Sequence, residues 1–167
     1  MRLSRSLAVA AAVAVADQLA KAWIVATRPF GSESEVIPGL FRLVHARNRG
    51  IAFGLFGASG SAVQLILLIA VAGIVAFVAW QLSRSGGDGL AGWGLALVLG
   101  GAIGNIVDPI FRGEVVDFLD FYLRIGGREH HWFAFNVADS AISVGACLVV
   151  LSELVSQARS KRAPGTD

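Results

Sequence analysis

Residues 62–82 contain no charged side chain, and no other feature of the sequence constrains the fold as strongly. A helix that crosses the hydrocarbon core of a bilayer needs about 20 predominantly apolar residues, which is the length of this run. The composition agrees, because 55% of the side chains are hydrophobic and 16% are charged, whereas soluble domains carry about 25% charged residues. The sequence therefore predicts a small multi-pass membrane protein and excludes an ordinary soluble domain.

Three other segments have a similar length and apolar character. We predict an all-α integral membrane protein, a single membrane domain over residues 1–167, with transmembrane helices at about 7–26, 62–82, 89–107 and 136–155. In the third helix, Gly100 and Gly104 have the spacing that lets helices approach closely in a bilayer, which predicts a packing face.

The first segment has an alternative interpretation. Residues 1–16 combine two arginines, a short apolar stretch and small residues at Ala14 and Ala16, a pattern typical of a cleavable secretory signal. Because apolar residues resume after Asp17, we predict instead that the segment is retained as the first helix. Asp17 and Lys21 lie four residues apart, so on a helix they share one face and can pair.

Two connections between the helices are long enough to carry structure of their own. Residues 27–60 contain short apolar groups broken by proline and glycine, which predicts a few strands or an amphipathic patch on the membrane surface. Residues 108–134 combine aromatic and charged side chains, which predicts an interfacial segment whose apolar side enters the membrane.

Four spans place both termini on one side of the membrane and gather the unusual polar residues at the other. These residues are Asn48, Asn105, Asp108, Asp117, Asn136 and Asp139, with Asp17 somewhat deeper. Lysine and arginine are divided almost evenly between the two sides, so the positive-inside rule does not decide the orientation alone. Basic residues adjoining the ends of the terminal spans favour cytoplasmic termini. The net charge of +2 is modest, and lysine and arginine are concentrated in loops and at the termini, which indicates a topology signal and predicts no nucleic-acid partner.

Asp117 and Asp139 are the strongest candidates for chemistry. Asn136 and Asp139 have the i, i+3 pattern of a capping box, so capping alone could account for Asp139. No helix start accounts for Asp117, which lies among apolar residues. Two adjacent carboxylates share one proton readily, and this arrangement supplies a general base and a general acid for hydrolysis of an amide. Such a mechanism needs no metal and no cofactor.

Other sites remain open at this stage. Glu129, His130 and His131 with an aspartate could bind zinc, although the spacing of a known zinc motif is absent. Ser140 with a histidine could form a serine site, although no glycine-rich nucleophile motif surrounds it. A non-enzymatic alternative is a proton or ion pathway component, or an assembly adaptor, with Asp17, Lys21 and Asp108 as an intramembrane relay.

Five ordered motifs between residues 17 and 139 resemble those of bacterial lipoprotein signal peptidase, also called signal peptidase II. The motifs are Asp17-Gln18-x-x-Lys21, Asn48-x-Gly50-x-Ala52-Phe53, Gly104-Asn105-x-x-Asp108, Val115-Val116-Asp117-Phe118 and Phe135-Asn136-x-Ala138-Asp139. Each motif is weak alone, but five in the same order indicate the family.

The resemblance implies an aspartic endopeptidase of the bacterial inner membrane that removes the signal peptide from a prolipoprotein, before a diacylglyceryl-modified cysteine. Asp117 and Asp139 would be catalytic. The supporting or substrate-binding residues would be Asp17, Lys21, Asn48, Gly50, Asn105, Asp108 and Asn136. We expect a monomer whose partners are its lipid-modified substrate and membrane lipid. The site would face away from the cytoplasm, with a β-rich platform around 30–56 and an interfacial helix within 112–130.

Two positions depart from the pattern of the family. Pro109 stands where the family usually has arginine, and Ile51 stands where it usually has alanine. Two outcomes are open for the first departure: Arg112, one helical turn further on, supplies the missing charge, or the activity or inhibitor response is altered. Neither departure involves Asp117 or Asp139.

Overall fold

The computed structural model describes residues 3–48, 61–85 and 89–162, which form four long helices and a four-stranded antiparallel sheet. The elements are α1 (Leu3–Thr27), β1 (Glu33–Ile37), β2 (Phe41–Asn48), α2 (Ser61–Ser85), α3 (Gly89–Phe111), β3 (Val115–Ile125), β4 (Arg128–His131) and α4 (Val137–Arg162). Helix α1 continues without a break through Ala16 and Asp17, where the alternative interpretation placed a cleavage site.

The helices have an exterior suited to lipid. Among the described residues, three helices are long and apolar enough to cross a membrane: α1, α3 and the segment Val137–Ser160 of α4. Helix α1 exposes Leu19 and Trp23 while it buries Asp17 and Lys21 completely. Apolar side chains outside and charged side chains inside are the arrangement expected where the surrounding solvent is hydrocarbon. The fold is therefore of the membrane type.

Helix α3 is the centre of the bundle and packs against the other three helices. Added side-chain atoms at Gly100 would collide with the backbone of Ala10 in α1, and those at Gly101 would collide with the carbonyl oxygen of Ala138 in α4. A Cβ at Gly104 would lie 2.8 Å from the Oδ2 atom of Asp17. The predicted packing face at Gly100 and Gly104 is confirmed, and it brings α1 and α4 to the same level of α3.

The sheet lies against the end of the bundle that carries most of the polar residues. Strand order is β1-β2-β3-β4, and Asp117 of β3 is opposite Ala46 of β2. Buried Val116 and Phe118 pack on Ile24 near the end of α1. This apolar contact fixes the start of β3 on α1, so the strand that carries Asp117 is held by the helix that carries Asp17 and Lys21.

The prediction of an interfacial helix within residues 112–130 was wrong. Residues 115–125 and 128–131 are strands, joined by Gly126 and Gly127 at positive φ angles of 60° and 77°. A two-residue hairpin turn with both central residues at positive φ strongly favours glycine. The preceding residues are rich in β-branched and aromatic side chains, which suit a pleated surface. The platform is therefore larger than predicted, because β3 and β4 extend the sheet begun by β1 and β2.

Candidate active site

Asp117 and Asp139 are brought together by the start of α4. Asn136 precedes the helix and donates from Nδ2 to the Oδ1 atom of Asp117 over 2.8 Å. Its Oδ1 atom accepts the amide of Asp139 over 3.0 Å, and its own amide donates to Asp139 Oδ2 over 3.2 Å. Asn136 and Asp139 thus form the predicted capping box. The capping residue also binds Asp117, so one asparagine connects both carboxylates.

Each carboxylate has a further amide partner. The side chain of Asn48 hydrogen-bonds to Asp117. Asn105 Nδ2 donates to Asp139 Oδ1 over 2.7 Å. The three amide partners of the two aspartates come from three places in the fold, since Asn48 ends β2, Asn105 lies in α3 and Asn136 caps α4.

Burial and charge together alter the ionisation of Asp117. Its side chain is only 5% exposed. Burial first, and the nearby negative charge of Asp139 second, raise the pKa of Asp117 to about 7, while the hydrogen bonds from Asn136 and Asn48 oppose the shift. At neutral pH this carboxyl group is poised between its acid and its anion, which is the range that general acid–base chemistry uses.

Three charged side chains without solvent exposure lie directly behind the two aspartates. Lys21 Nζ is 2.7 Å from Asp17 Oδ2 and 2.9 Å from Asp108 Oδ2, and all three side chains are 0% exposed. Lys21 also donates to Asn105 Oδ1 over 3.2 Å. Burial of an ion costs free energy unless the ion is paired and hydrogen-bonded. Here each of the three side chains has both an ion-pair partner and a hydrogen bond.

The two buried carboxylates hold the backbone beside the candidate catalytic residues. Asp108 Oδ2 accepts the amide of Val116, the residue before Asp117, over 3.2 Å. Asp17 Oδ1 accepts the amide of Ala138, the residue before Asp139, over 2.9 Å. Because Lys21 bridges Asp17 and Asp108, one ammonium group connects both attachments. We call Asp17, Lys21 and Asp108 the charge clamp.

Sequence reasoning missed two residues of this network as site residues. Gln18 Nε2 donates to Asp108 Oδ1 over 3.1 Å and to the carbonyl oxygen of Gly104 over 3.0 Å. Arg112 Nη1 donates to Gln18 Oε1 over 2.7 Å and also to Asp108 Oδ1. Gln18 lies inside the motif that begins at Asp17, and Arg112 is the candidate replacement for an arginine at position 109, so both positions carry a signal in the sequence.

The structure brings the nine predicted site residues into one network of hydrogen bonds and ion pairs, with one exception. That exception is Gly50, which lies outside the described residues, as does Ile51. The contacting residues are Asp17, Asn48, Asn105, Asp108 and Asn136, together with Lys21 between them.

The residues of the alternative zinc and serine sites have partners that do not suit those functions. Glu129 and His131 lie beside Arg42, whose Nε atom is 2.6 Å from Asp120 Oδ2, so a guanidinium cation already occupies that cluster. Within the described ranges, no group of three or more His, Cys, Asp or Glu side chains could hold a metal ion. The hydroxyl of Ser140 donates to the carbonyl oxygen of Asn136 over 2.9 Å, as a residue in a first helical turn does.

A largely apolar cavity of about 600 Å³ lies on the sheet. Its lining residues include Leu40, Phe121, Leu123, Trp132 and Phe135. Phe135 immediately precedes Asn136 and pairs with Leu119, two residues after Asp117. Two lining residues, Phe121 and Phe135, therefore lie within four residues of Asp117 and Asp139 in the sequence.

Comparison with known proteins gives a consistent result. The sequence model of the family described as signal peptidase (SPase) II matches residues 9–155. A lipoprotein signal peptidase of Solibacter usitatus is 41% identical over 155 residues, covering 90% of each chain. A lipoprotein signal peptidase of Ralstonia nicotianae is 45% identical over 138 residues, covering 83% of this chain and 77% of the relative.

Two solved structures of bacterial membrane enzymes share the fold. A bacterial membrane enzyme determined by the in meso method at 2.3 Å resolution superposes with a TM-score of 0.73 at 27% identity, covering 98% of this chain and 94% of the other. A second bacterial membrane enzyme, determined by the same method at 1.9 Å resolution, gives a TM-score of 0.69 at 29% identity, covering 90% of this chain and 93% of the other.

Proposed function

Because this chain belongs to the signal peptidase II family, we propose that it cleaves lipid-modified prolipoproteins with Asp117 and Asp139 as an aspartic catalytic pair. Family membership makes the protein a peptidase of lipoprotein processing and, with its apolar helices, an integral protein of the bacterial inner membrane. The proposal adds the chemistry, the cleavage position and the orientation.

The observation that carries the mechanism is the shared environment of the two carboxyl groups. Asn136 binds both of them, and the charge of Asp139 helps to raise the pKa of Asp117 to about 7. We assign Asp117 as the protonated member and Asp139 as the charged member. Asp139 would draw a proton from water as it attacks the peptide carbonyl, while Asp117 would hydrogen-bond the carbonyl oxygen and later protonate the leaving nitrogen.

The surroundings support a substrate that is part lipid and part peptide. The apolar cavity on the sheet lies beside both catalytic segments, and the helices expose apolar side chains toward the bilayer. We propose that a diacylglyceryl-modified cysteine keeps its acyl chains in the membrane while the preceding peptide bond reaches the aspartates. This arrangement needs the site at the extracytoplasmic edge, four spans, with α2 as the second, and cytoplasmic termini. We further propose that the enzyme works as a monomer, without a metal, cofactor or nucleic-acid partner.

The non-enzymatic alternative has less support. A proton or ion relay needs polar groups spread through the depth of the bilayer. Here the clamp residues Asp17 and Asp108 bind the backbone beside Asp117 and Asp139, so the polar residues converge on one end of the bundle.

The cleavage position is tested with purified enzyme and a prolipoprotein that carries the diacylglyceryl group. Mass spectrometry of the product is expected to show a new amino terminus at the modified cysteine. The matched control is the same prolipoprotein without lipid, which should remain intact. Cleavage elsewhere, or equal cleavage of both substrates, would contradict the proposed specificity.

The pH dependence tests the assignment of Asp117. Below pH 7 Asp117 holds its proton and can act as the acid; as the pH rises through about 7 it ionises, so the activity is expected to fall there. Asn48→Ala removes a hydrogen bond that lowers the pKa of Asp117. The falling limb of kcat/KM should therefore move to higher pH in this variant. A limb that stays in place or moves to lower pH would contradict the assignment.

A further inference from the structure

Arg112 lies at the open end of the charge clamp, where it completes the charge balance. Asp17, Lys21 and Asp108 are 0% exposed and together carry two negative charges and one positive charge. An unbalanced charge in such a place is strongly destabilising. The side chain of Arg112 is 30% exposed and binds Asp108 at the oxygen that Lys21 does not use. Its guanidinium supplies the second positive charge.

Local chain geometry explains why this arginine reaches Asp108. Helix α3 ends at Phe111, and the amide of Arg112 donates to the carbonyl oxygen of Asp108 over 2.7 Å, which closes the last helical turn. Residues four apart lie on the same helix face, so the two side chains meet. Pro109, the neighbour of Asp108 in sequence, has no cationic side chain to offer.

Arg112 also fixes the orientation of Gln18. Its Nη1 atom donates to Gln18 Oε1 over 2.7 Å, which turns the amide nitrogen of Gln18 toward Asp108 Oδ1 at 3.1 Å. One oxygen of Asp108 is thus held by Arg112 and Gln18, and the other is left for Lys21 and the amide of Val116. The carboxylate plane is fixed by donors on both of its oxygens.

We propose that Arg112 is a positioning residue for catalysis, which holds Asp108 as the anion that fixes Val116 and thereby the adjacent Asp117. The inference rests on the proposed role of Asp117. We assign Arg112 no part in the chemistry, because in the described part of the chain its guanidinium donates to Gln18 and Asp108, which lie behind the two aspartates. Its loss should therefore slow turnover without weakening substrate binding.

The test compares Arg112→Gln with Arg112→Lys in purified, full-length enzyme on a diacylglyceryl-modified prolipoprotein. A small misplacement of a catalytic group costs up to about a hundredfold in rate, so Arg112→Gln should lower kcat by about tenfold to a hundredfold with KM unchanged. Arg112→Lys keeps the charge and should recover most of kcat. Arg124→Gln is the matched control: Arg124 is an exposed cation of β3, paired with Glu129 and Glu35, and its loss should leave kcat as in the wild type.

Three results would overturn the proposal: wild-type kcat in Arg112→Gln, equally low kcat in the Gln and Lys variants, or an increase of KM with kcat unchanged. If Arg112→Gln does not fold, Asp108→Asn is added to restore the charge balance, and wild-type kcat in the folded double variant overturns the proposal. Asp117→Asn is measured alongside. If that variant remains active, the aspartic mechanism fails; if it is inactive while Arg112→Gln is fully active, only the role of Arg112 fails.

Discussion

Asp117→Asn and Asp139→Asn are each expected to reduce cleavage of a lipid-modified prolipoprotein by about a thousandfold, the scale of general acid–base catalysis. Asparagine has almost the shape of aspartate, and its Oδ1 atom can still accept the hydrogen bond that Asn136 donates to position 117. The protein should therefore remain folded in the membrane. What asparagine cannot do is exchange a proton, and the proposed mechanism needs both carboxyl groups.

A gel-shift assay of the lipidated substrate measures this loss directly. Asp120→Asn is the matched control, because Asp120 is a buried carboxylate of the same strand, 4% exposed, that pairs with Arg42 on the sheet. We expect this variant to keep its activity. Retained cleavage by either variant of the catalytic pair would reject the aspartic mechanism, and an equal loss in Asp120→Asn would indicate a general effect of the substitution on β3.

Lys21→Met is expected to have the second largest effect, on stability as well as activity. The change leaves Asp17 and Asp108 buried at 0% exposure without the ammonium group that lies 2.7 Å and 2.9 Å from them. Removal of one partner from a buried ion pair costs about 3–5 kcal/mol. The remaining folded protein should also be inactive, because the two carboxylates no longer hold the amides of Val116 and Ala138 at a fixed separation.

Thermal unfolding in detergent and the rate per folded molecule separate the two parts of this prediction. Arg159→Gln in α4 is the control, since Arg159 is an exposed cation whose removal should change neither quantity. A Lys21→Met variant with the unfolding temperature and turnover of the wild type would show that the charge clamp does not organise the site.

The helices and most polar positions of the site were accessible from the sequence for a simple reason. Long apolar runs have few alternatives to a helix in a bilayer, and charged or amide side chains near such runs are rare enough to identify individually. Asp17, Asp108 and Asn136 were selected on these grounds, and the structure places all three in one hydrogen-bonded network.

The sheet was harder, because aromatic and β-branched residues beside charges also suit an amphipathic surface segment. Gly126 and Gly127 form a dipeptide typical of a hairpin turn, and the expectation of an interfacial helix did not take it into account. The details of the network were less accessible still. Arg112 and Gln18 are 94 residues apart, and no local pattern indicates that their side chains meet. The four-span topology, the roles of the site residues and the orientation in the membrane stay predictions.

The charge clamp also has a consequence for the order in which the protein assembles. Asp17 and the amide of Ala138 are 121 residues apart, so α1 is synthesised well before α4. During that interval Asp17 and Lys21, one helical turn apart, neutralise each other. The candidate site is complete only when the first turn of α4 has bound Asp17. A chain whose α4 has not yet docked therefore lacks the attachment of Ala138 that places the neighbouring Asp139.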